Sequence, residues 1–102
     1  MTVAAITHHV LRDETAAQEW HAAMYERLSA ARSHPGWIGG QLLRAINDQM
    51  LRTIVGTRKS RDAWEAWHSE DAFRETRERL DGLQSRPSET TWHEVIEERH
   101  GE

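Results

Sequence analysis

Apolar residues recur along the chain with two different periods, and each change of period marks a predicted element. Residues 3–11 are rich in β-branched and apolar side chains, which predicts a first strand. Between residues 17 and 31 the apolar positions lie three or four apart, which predicts a helix of about five turns. Its apolar stripe consists of Ala17, Trp20, Met24, Leu28 and Ala31, and Arg27 is predicted to fall mostly off that stripe.

Two residues compete to begin this helix. Thr15 with Gln18 three positions later fits a capping box, in which each side chain bonds the backbone N–H of the other residue. Asp13 is the rival cap. The helix is predicted to end in residues 33–36, because Pro35 lacks a backbone N–H and disfavours helix in the residue before it.

A hairpin is predicted next. Residues 37–46 and 50–58 are predicted strands, joined by the turn-forming residues 47–49. Gly39 and Gly40 interrupt the first of these strands, which indicates a bulge or a close approach of another group to the backbone.

Two short helices and a last strand complete the prediction. Ser60 is predicted to cap a helix that runs to His68, and Ser69 a second one with Phe73, Thr76, Leu80 and Leu83 on its inner face. Gly82 and residues 85–88 are predicted to end that helix. Residues 90–98 alternate apolar and polar side chains, as a strand does.

The element order β-α-β-β-α-β, with the second α split in two, predicts an α+β fold of the ferredoxin-like type in a single domain, residues 1–102. This fold places its helices on one face of a four-stranded antiparallel sheet. A second copy of the chain is the simplest cover for the open face, so we expect a homodimer.

Composition narrows the range of partners. The net charge of −4 disfavours nucleic acid as a partner, because binding its phosphates requires a basic surface. The chain has no cysteine, which excludes disulfides and thiolate chemistry. No leader peptide and no membrane-spanning segment is predicted. We therefore expect a cytoplasmic protein with neither a nucleic-acid nor a membrane partner.

Two segments resemble a known family. Residues 35–44, PGWIGGQLLR, are similar to a segment of the antibiotic-biosynthesis-monooxygenase-type proteins. Residues 59–73, KSRDAWEAWHSEDAF, resemble a stretch of that family's haem-degrading branch. The resemblance implies a dimeric α+β barrel with a pocket between the helices and the sheet of each subunit. It also implies either cofactor-free oxygenation of aromatic polyketide-type molecules or haem degradation.

Three positions depart from the haem-degrading pattern. Arg77 stands where that branch has its axial histidine, Arg58 where it has a tryptophan, and Thr7 where it has an asparagine. A guanidinium is always protonated and offers only donors, so it cannot ligate iron. Haem is therefore possible but disfavoured, and we predict no cofactor and no metal ligand.

The candidate pocket residues each have two interpretations. Trp64, Trp67 and His68 share one helix face, and form either core packing or a stacking wall for a planar ligand. Arg77 either points inward, where it would select an anion or phenolate, or extends into solvent. Arg58 has the same two interpretations, with solvent exposure favoured.

Two further residues are catalytic candidates. His8 and His9 are adjacent on a strand, so they point to opposite faces and cannot chelate one metal together. Either could face the pocket as a general base, or simply lie at a half-exposed boundary.

These observations lead to one predicted function and two alternatives. The predicted function is a monooxygenase that acts without a metal cofactor on a hydrophobic aromatic molecule of phenolic or polyketide type. The alternatives are a haem-binding or haem-degrading relative with different ligation, and a non-catalytic small-molecule-binding barrel. The catalytic candidates are Arg77, His8 and His9. The predicted pocket residues are Thr7, Arg58, Trp64, Trp67, Phe73 and Arg77.

Overall fold

A computed structural model describes residues 1–101 of the chain, so the predicted domain ends one residue beyond the described part. The elements follow the predicted order. They are β1 (Val3–Val10), a 3₁₀ turn (Glu14–Ala16), α1 (Ala17–Arg32), β2 (Trp37–Arg44), β3 (Leu51–Arg58), α2 (Arg61–His68), α3 (Asp71–Asp81) and β4 (Glu89–Glu94).

The strands form one antiparallel sheet in the order β2-β3-β1-β4. The buried residues of β1 lie directly opposite those of β3, as in the pairs Val3 with Arg58 and His9 with Arg52. Because side chains alternate along a strand, all of these residues lie on the single face that the helices cover. The predicted ferredoxin-like α+β fold is confirmed. No helix within residues 1–101 is long and apolar enough to cross a membrane.

The start of the helical segment corrects one prediction. Asp13 is the cap: its Oδ1 accepts hydrogen bonds from the Ala16 backbone N–H at 2.9 Å and from the Thr15 hydroxyl at 2.7 Å. The Thr15–Gln18 capping box is therefore wrong, because the Thr15 hydroxyl is already donated backwards to Asp13. The same two bonds lower the pKa of the Asp13 carboxyl.

The junction between α2 and α3 corrects a second prediction. Ser60 caps α2 as predicted, accepting from the Ala63 N–H at 3.1 Å. Ser69, however, ends α2 instead of beginning α3. Its hydroxyl donates to the Glu65 carbonyl at 3.1 Å, and α3 starts after Glu70 without a side-chain cap bond.

Two strands and one helix end earlier in the sequence than predicted. β4 stops at Glu94, which pairs with the first residue of β1, Val3. One further backbone bond follows, from the Val95 N–H to the Thr2 carbonyl at 3.0 Å, and β1 offers no residue opposite 96–98. Similarly, β2 ends at Arg44 and Leu83 lies beyond the end of α3. The bulge predicted at the glycines is confirmed, since the β2–β3 register shifts between Trp37 and Gly39.

The core divides into two aromatic clusters. The Trp64 cluster contains the buried residues Val3, Ala5, Ala31, Trp64 and Trp67. The Trp20 cluster contains Leu11, Trp20, Ala23, Met24 and Leu80. The stripe predicted on α1 contributes to both clusters, so this one helix connects the two ends of the core.

Candidate functional site

A cavity of about 430 Å³ lies between the helices and the inner face of the sheet. This volume falls in the range of about 300–1,000 Å³ that is typical of small-molecule sites. Residues from all four strands, from α1, α2 and α3, and from the segment before β4 line it. The residues that carry the arguments below are Thr7, His9, Arg27, Trp64, Trp67, His68, Phe73, Arg77 and Ser88.

One wall of the cavity is aromatic. Trp64 and Trp67 are only 7% and 4% exposed, so they belong to the core, and both also line the cavity. The Trp64 indole donates to the Val3 carbonyl at 2.9 Å, which holds the ring against β1. Phe73 meets the Trp67 ring edge-on with centroids 5.8 Å apart. The result is a rigid apolar surface that suits a flat ligand.

His68 extends this wall. Its ring lies 4.5 Å from Phe73 between centroids and 5.6 Å from Trp92. Burial lowers the pKa of His68, and the positive charges of nearby arginines lower it further. His68 therefore contributes a neutral imidazole to the cavity at physiological pH.

Arg58 lies behind the aromatic wall and contradicts one expectation. Its side chain is fully buried, so the prediction of solvent exposure is wrong. The guanidinium carbon lies 5.4, 5.2 and 5.1 Å from the ring centroids of Trp37, Trp64 and Trp67. Sequence spacing gave no sign of this cage, because its members come from β2, β3 and α2. Arg58 is not among the residues that line the cavity.

Arg77 lies at the cavity mouth. It is one of the lining residues, but its side chain is 69% exposed and its Nε is 3.9 Å from the Asp81 carboxylate. Arg77 thus borders the cavity and extends largely into solvent. Its charge can act on a ligand that enters the cavity, while most of its surface stays in water.

Arg27 is a cavity residue that the sequence pattern did not predict. Its Nε donates to the Thr76 hydroxyl at 2.9 Å and its Nη2 to the Phe73 carbonyl at 3.0 Å. The guanidinium carbon lies 4.2 Å above the Phe73 ring, and the side chain lines the cavity. Burial lowers the pKa of Arg27 to about 10, so it stays charged at neutral pH.

The prediction that Arg27 falls off the apolar stripe is wrong. Arg27 follows Met24 by three residues and precedes Ala31 by four, which places it on the same helix face. A charged residue in the middle of an apolar stripe was the available signal. The cost of burying its charge is offset because two of its nitrogens donate hydrogen bonds to α3.

The two adjacent histidines separate as strand geometry requires. His9 is 3% exposed and lines the cavity. His8 points to the open face of the sheet, where its Nδ1 lies 3.0 Å from the Thr53 hydroxyl. Of the two, His9 is thus the residue positioned to act on a ligand in the cavity.

A buried hydrogen-bond network holds His9. Its Nδ1 lies 2.9 Å from Gln84 Oε1 and 2.7 Å from Ser88 Oγ, and the Trp20 indole donates to the same Gln84 oxygen at 2.9 Å. Burial lowers the pKa of His9 to about 4, so the ring is neutral at physiological pH. Sequence spacing does not indicate Gln84 or Ser88, because they are more than 70 residues away from His9 along the chain.

Thr7 completes the predicted set. It lines the cavity, and its hydroxyl lies 3.0 Å from that of Thr90, another lining residue. The structure therefore brings together Thr7, Trp64, Trp67, Phe73, Arg77 and His9, and leaves Arg58 behind the wall and His8 on the opposite face.

The residues do not fit the haem site of the haem-degrading branch. The position of the axial ligand is Arg77, an exposed guanidinium paired with Asp81, and a guanidinium has no lone pair to donate to iron. Within residues 1–101 no group of three histidine, aspartate or glutamate side chains is placed to hold a metal ion.

The fold and this cavity define a class: a ferredoxin-like α+β domain with an aromatic, arginine-bearing pocket between its helices and its sheet. The model of the family described as "Antibiotic biosynthesis monooxygenase" matches residues 4–79, and the chain belongs to that family. No curated protein has a significant sequence match to this chain.

Solved structures agree with this assignment of the fold. Rv0793 from Mycobacterium tuberculosis is 18% identical, with a TM-score of 0.89 over 98% of this chain and 100% of that one. SnoaB, a cofactor-independent oxygenase from Streptomyces nogalater, is 15% identical, with a TM-score of 0.85 over 95% of each chain. A conserved protein from Methanosarcina mazei is 12% identical, with a TM-score of 0.87 over 91% of each. At these identities the likeness shows the fold alone.

Proposed function

We propose that this protein is a cofactor-independent monooxygenase that acts on a planar, hydroxylated aromatic molecule. The observation that carries the proposal is the pairing of an aromatic wall with a cationic guanidinium and a neutral imidazole in one cavity. Family membership and the likeness of the fold to SnoaB, described as a cofactor-independent oxygenase, support it.

The cavity residues suit a reaction in which the substrate supplies its own electrons. Removal of a proton from the substrate gives an electron-rich anion that reacts directly with O₂. In an anthrone-type substrate, the CH₂ carbon gains one oxygen atom as a carbonyl. The second oxygen atom leaves as water with the two hydrogens of that carbon. No external reductant is needed for this balance.

Three side chains have roles in this scheme. His9 accepts the proton, for which its neutral form is required. Arg27 stabilises the resulting oxyanion from its fixed position over Phe73, since a charge held in a partly dry site acts strongly on developing charge. Arg77 adds a weaker, screened attraction at the mouth.

We also propose that the chain acts as a homodimer through the open face of the sheet. Ile6 and Val55 are paired on that face, and Leu43 next to them is 43% exposed. Covering such apolar residues is favourable, and a second sheet of the same kind is complementary to the first. Elution at monomer size in size-exclusion chromatography with light scattering would contradict this. A cytoplasmic location remains a prediction.

Oxygen uptake with a panel of aromatic substrates tests the proposed reaction. We expect uptake with hydroxylated anthrones, and none with anthracene, which has no acidic proton. Arg27→Gln should lower kcat/KM by about tenfold or more, because one charge-assisted contact to the oxyanion is lost. The matched control is Arg79→Gln, an exposed arginine that pairs with Glu26 outside the cavity and should leave kcat/KM unchanged. Absence of uptake with every substrate would reject the proposal.

One observation favours a second candidate function, haem binding by another ligand. His68 presents a neutral imidazole to the cavity next to three aromatic rings. A hemin titration distinguishes the two candidates, because coordinated haem gives a sharp, saturable Soret band. We expect no such band. If it appears and His68→Gln removes it, the haem-binding candidate replaces the first. Saturable binding of a hydroxylated anthrone without oxygen uptake would instead indicate a non-catalytic binding barrel.

A further inference from the structure

We propose that Trp20 and Gln84 hold His9 in the tautomer protonated on Nδ1, so that Nε2 faces the cavity as a hydrogen-bond acceptor. It follows that the ligand must carry a hydroxyl donor at this position. Trp20 and Gln84 are positioning residues, because they act through His9 and do not touch the ligand. The ligand part of this proposal rests on the proposed function, and the tautomer part does not.

The orientation of the Gln84 amide is decided by Trp20. An indole nitrogen can only donate a hydrogen bond, so the Gln84 atom 2.9 Å from it must be the carbonyl oxygen. The other end of the amide agrees with this assignment. Gln84 Nε2 lies 3.0 Å from Ser88 Oγ and 3.4 Å from the Arg86 carbonyl, both of which can accept.

The same oxygen then decides the tautomer of His9. Gln84 Oε1 lies 2.9 Å from His9 Nδ1, and an amide oxygen can only accept, so Nδ1 must carry the proton. Ser88 Oγ, 2.7 Å from Nδ1, shares this proton as a second acceptor. The competing arrangement has the Ser88 hydroxyl donating to an unprotonated Nδ1. It would hold two lone pairs against each other at 2.9 Å, which is unfavourable.

The free nitrogen of His9 is directed at the cavity. Within residues 1–101, Arg58 Nε is the fully buried side-chain nitrogen or oxygen that lacks a hydrogen-bond partner. His9 Nε2 makes no hydrogen bond to these residues, so it is not fully buried. Since His9 lines the cavity, Nε2 is open to it. The ring is held edge-on to Trp20, with centroids 5.4 Å apart and planes at 67°.

The charges around His9 keep the ring neutral. Arg27 on α1 and His8 on the same strand disfavour a second proton, while Asp81 on α3 and the Gln84 bond favour it. Burial outweighs both favourable contributions. A neutral ring with its proton on Nδ1 cannot donate from Nε2, so a ligand oxygen gains a hydrogen bond there only if it carries its own hydrogen. A phenol meets this condition and its methyl ether does not.

Nitrogen-15 NMR of the histidine rings tests the tautomer directly. We expect His9 Nε2 to resonate in the range of an unprotonated ring nitrogen and Nδ1 in the protonated range. Ser88→Ala should leave this pattern unchanged, because Gln84 alone is sufficient. Trp20→Phe frees the amide to rotate and should give a mixture of tautomers. Trp92→Phe, outside the cluster, is the matched control. Two results would overturn the proposal, whether or not the protein is catalytically active. One is a proton on His9 Nε2 in the unmodified protein, and the other is an unprotonated His9 Nδ1 in Ser88→Ala.

Two probes test the ligand requirement. Saturation with 1-naphthol should shift the His9 Nε2 resonance by several ppm, and 1-methoxynaphthalene should shift it far less. Equal shifts with both probes, or none with either, would overturn the ligand assignment. Absence of oxygen uptake would count against the proposed function alone, so the two failures are distinguishable.

Discussion

The Trp64 and Trp20 ends of the core accommodate a buried polar group in opposite ways. At one end, Arg58 is enclosed by three indole faces and makes only long hydrogen bonds, 3.4 Å to the Ala31 carbonyl and 3.5 Å to His34, while its Nε has none. At the other end, Trp20 uses its N–H instead of its face. The Gln84 and Ser88 contacts of His9 are all between 2.7 and 2.9 Å.

The difference follows from the acidity of the two groups. Burial lowers the pKa of both Arg58 and His9. A guanidinium starts so far above neutrality that it keeps its charge, and π faces are then a suitable partner for a cation. An imidazole starts near neutrality and loses its charge, so it needs directional hydrogen bonds instead. Tryptophan therefore contacts a buried cation with its ring faces at one end, and at the other end its N–H orients the amide that binds a neutral imidazole.

Replacing Arg58 should give the largest effect on stability. Arg58→Ala leaves a hole between three indoles and should lower the free energy of unfolding by about 3 kcal/mol. Arg58→Met fills most of that space and removes a poorly bonded charge, so it should cost no more than about 1 kcal/mol. Urea unfolding at one fixed protein concentration measures both. If Met costs as much as Ala, the charge itself stabilises this end, and the comparison with His9 would need revision.

The titration of His9 should be visible in the pH dependence of the free energy of unfolding. Folded His9 titrates at about 4 and a free histidine at 6.5, so the unfolded chain binds this proton first as the pH falls. Stability should therefore be lost between pH 6.5 and about 4, by up to about 3 kcal/mol.

Subtracting the unfolding curve of His9→Asn isolates this contribution. The asparagine does not titrate, and the carboxylates are common to both proteins. Groups that face His9 and remain in the variant are Arg27, Asp81 and His8. A difference between the two proteins that stays flat from pH 7 to 4 would mean that His9 is not held neutral.

Phenylalanine substitutions compare the two tryptophan types directly. Trp20→Phe and Trp67→Phe each remove a similar volume from a buried site, but only Trp20 gives up an N–H bond to Gln84. We expect Trp20→Phe to be the more destabilising by about 1 kcal/mol, the net value of a typical buried hydrogen bond. Thermal unfolding of both variants at the same scan rate measures this difference. The reverse order would show that ring contact with Arg58 matters more than the indole bond.

Replacing Arg77 at the cavity mouth should have the smallest effect on the free energy of unfolding. Arg77→Gln should change the free energy of unfolding by less than about 0.5 kcal/mol, because the side chain is 69% exposed and its Asp81 contact is long at 3.9 Å. Arg27→Gln should cost about 1–2 kcal/mol, since it breaks two partly buried hydrogen bonds. Similar costs for both would contradict the placement of Arg27 as the inner arginine.

Local patterns accounted for most of the fold. The α1 stripe, the Ser60 cap and the glycine bulge in β2 depend on residues close together in sequence, and all three are confirmed. The Ser69 cap failed although its composition was suitable. Its hydroxyl had a nearer acceptor in the last turn of α2, a competition that composition alone does not resolve.

The aromatic part of the cavity lining follows from patterns within single helices. Trp64, Trp67 and Phe73 line the cavity because α2 and α3 present them on a single face. Of the two interpretations of Arg58, solvent exposure was favoured because charge usually implies exposure. A cage assembled from three elements leaves no pattern along any one of them. Arg27 showed a local signal, an arginine at an apolar position, that the stripe as assigned left out.

The sequence by itself determined the order of elements, the ferredoxin-like α+β fold and family membership, because periodicity and short motifs are properties of neighbouring residues. Tertiary structure alone decided which polar groups line the cavity and which protonation state each one has. The hydrogen bonds that connect His9 and Trp20 to Gln84 and Ser88 join residues 64 or more positions apart. The lowered pKa of His9 arises from its burial among them. Protonation depends on surroundings, and the fold creates those surroundings.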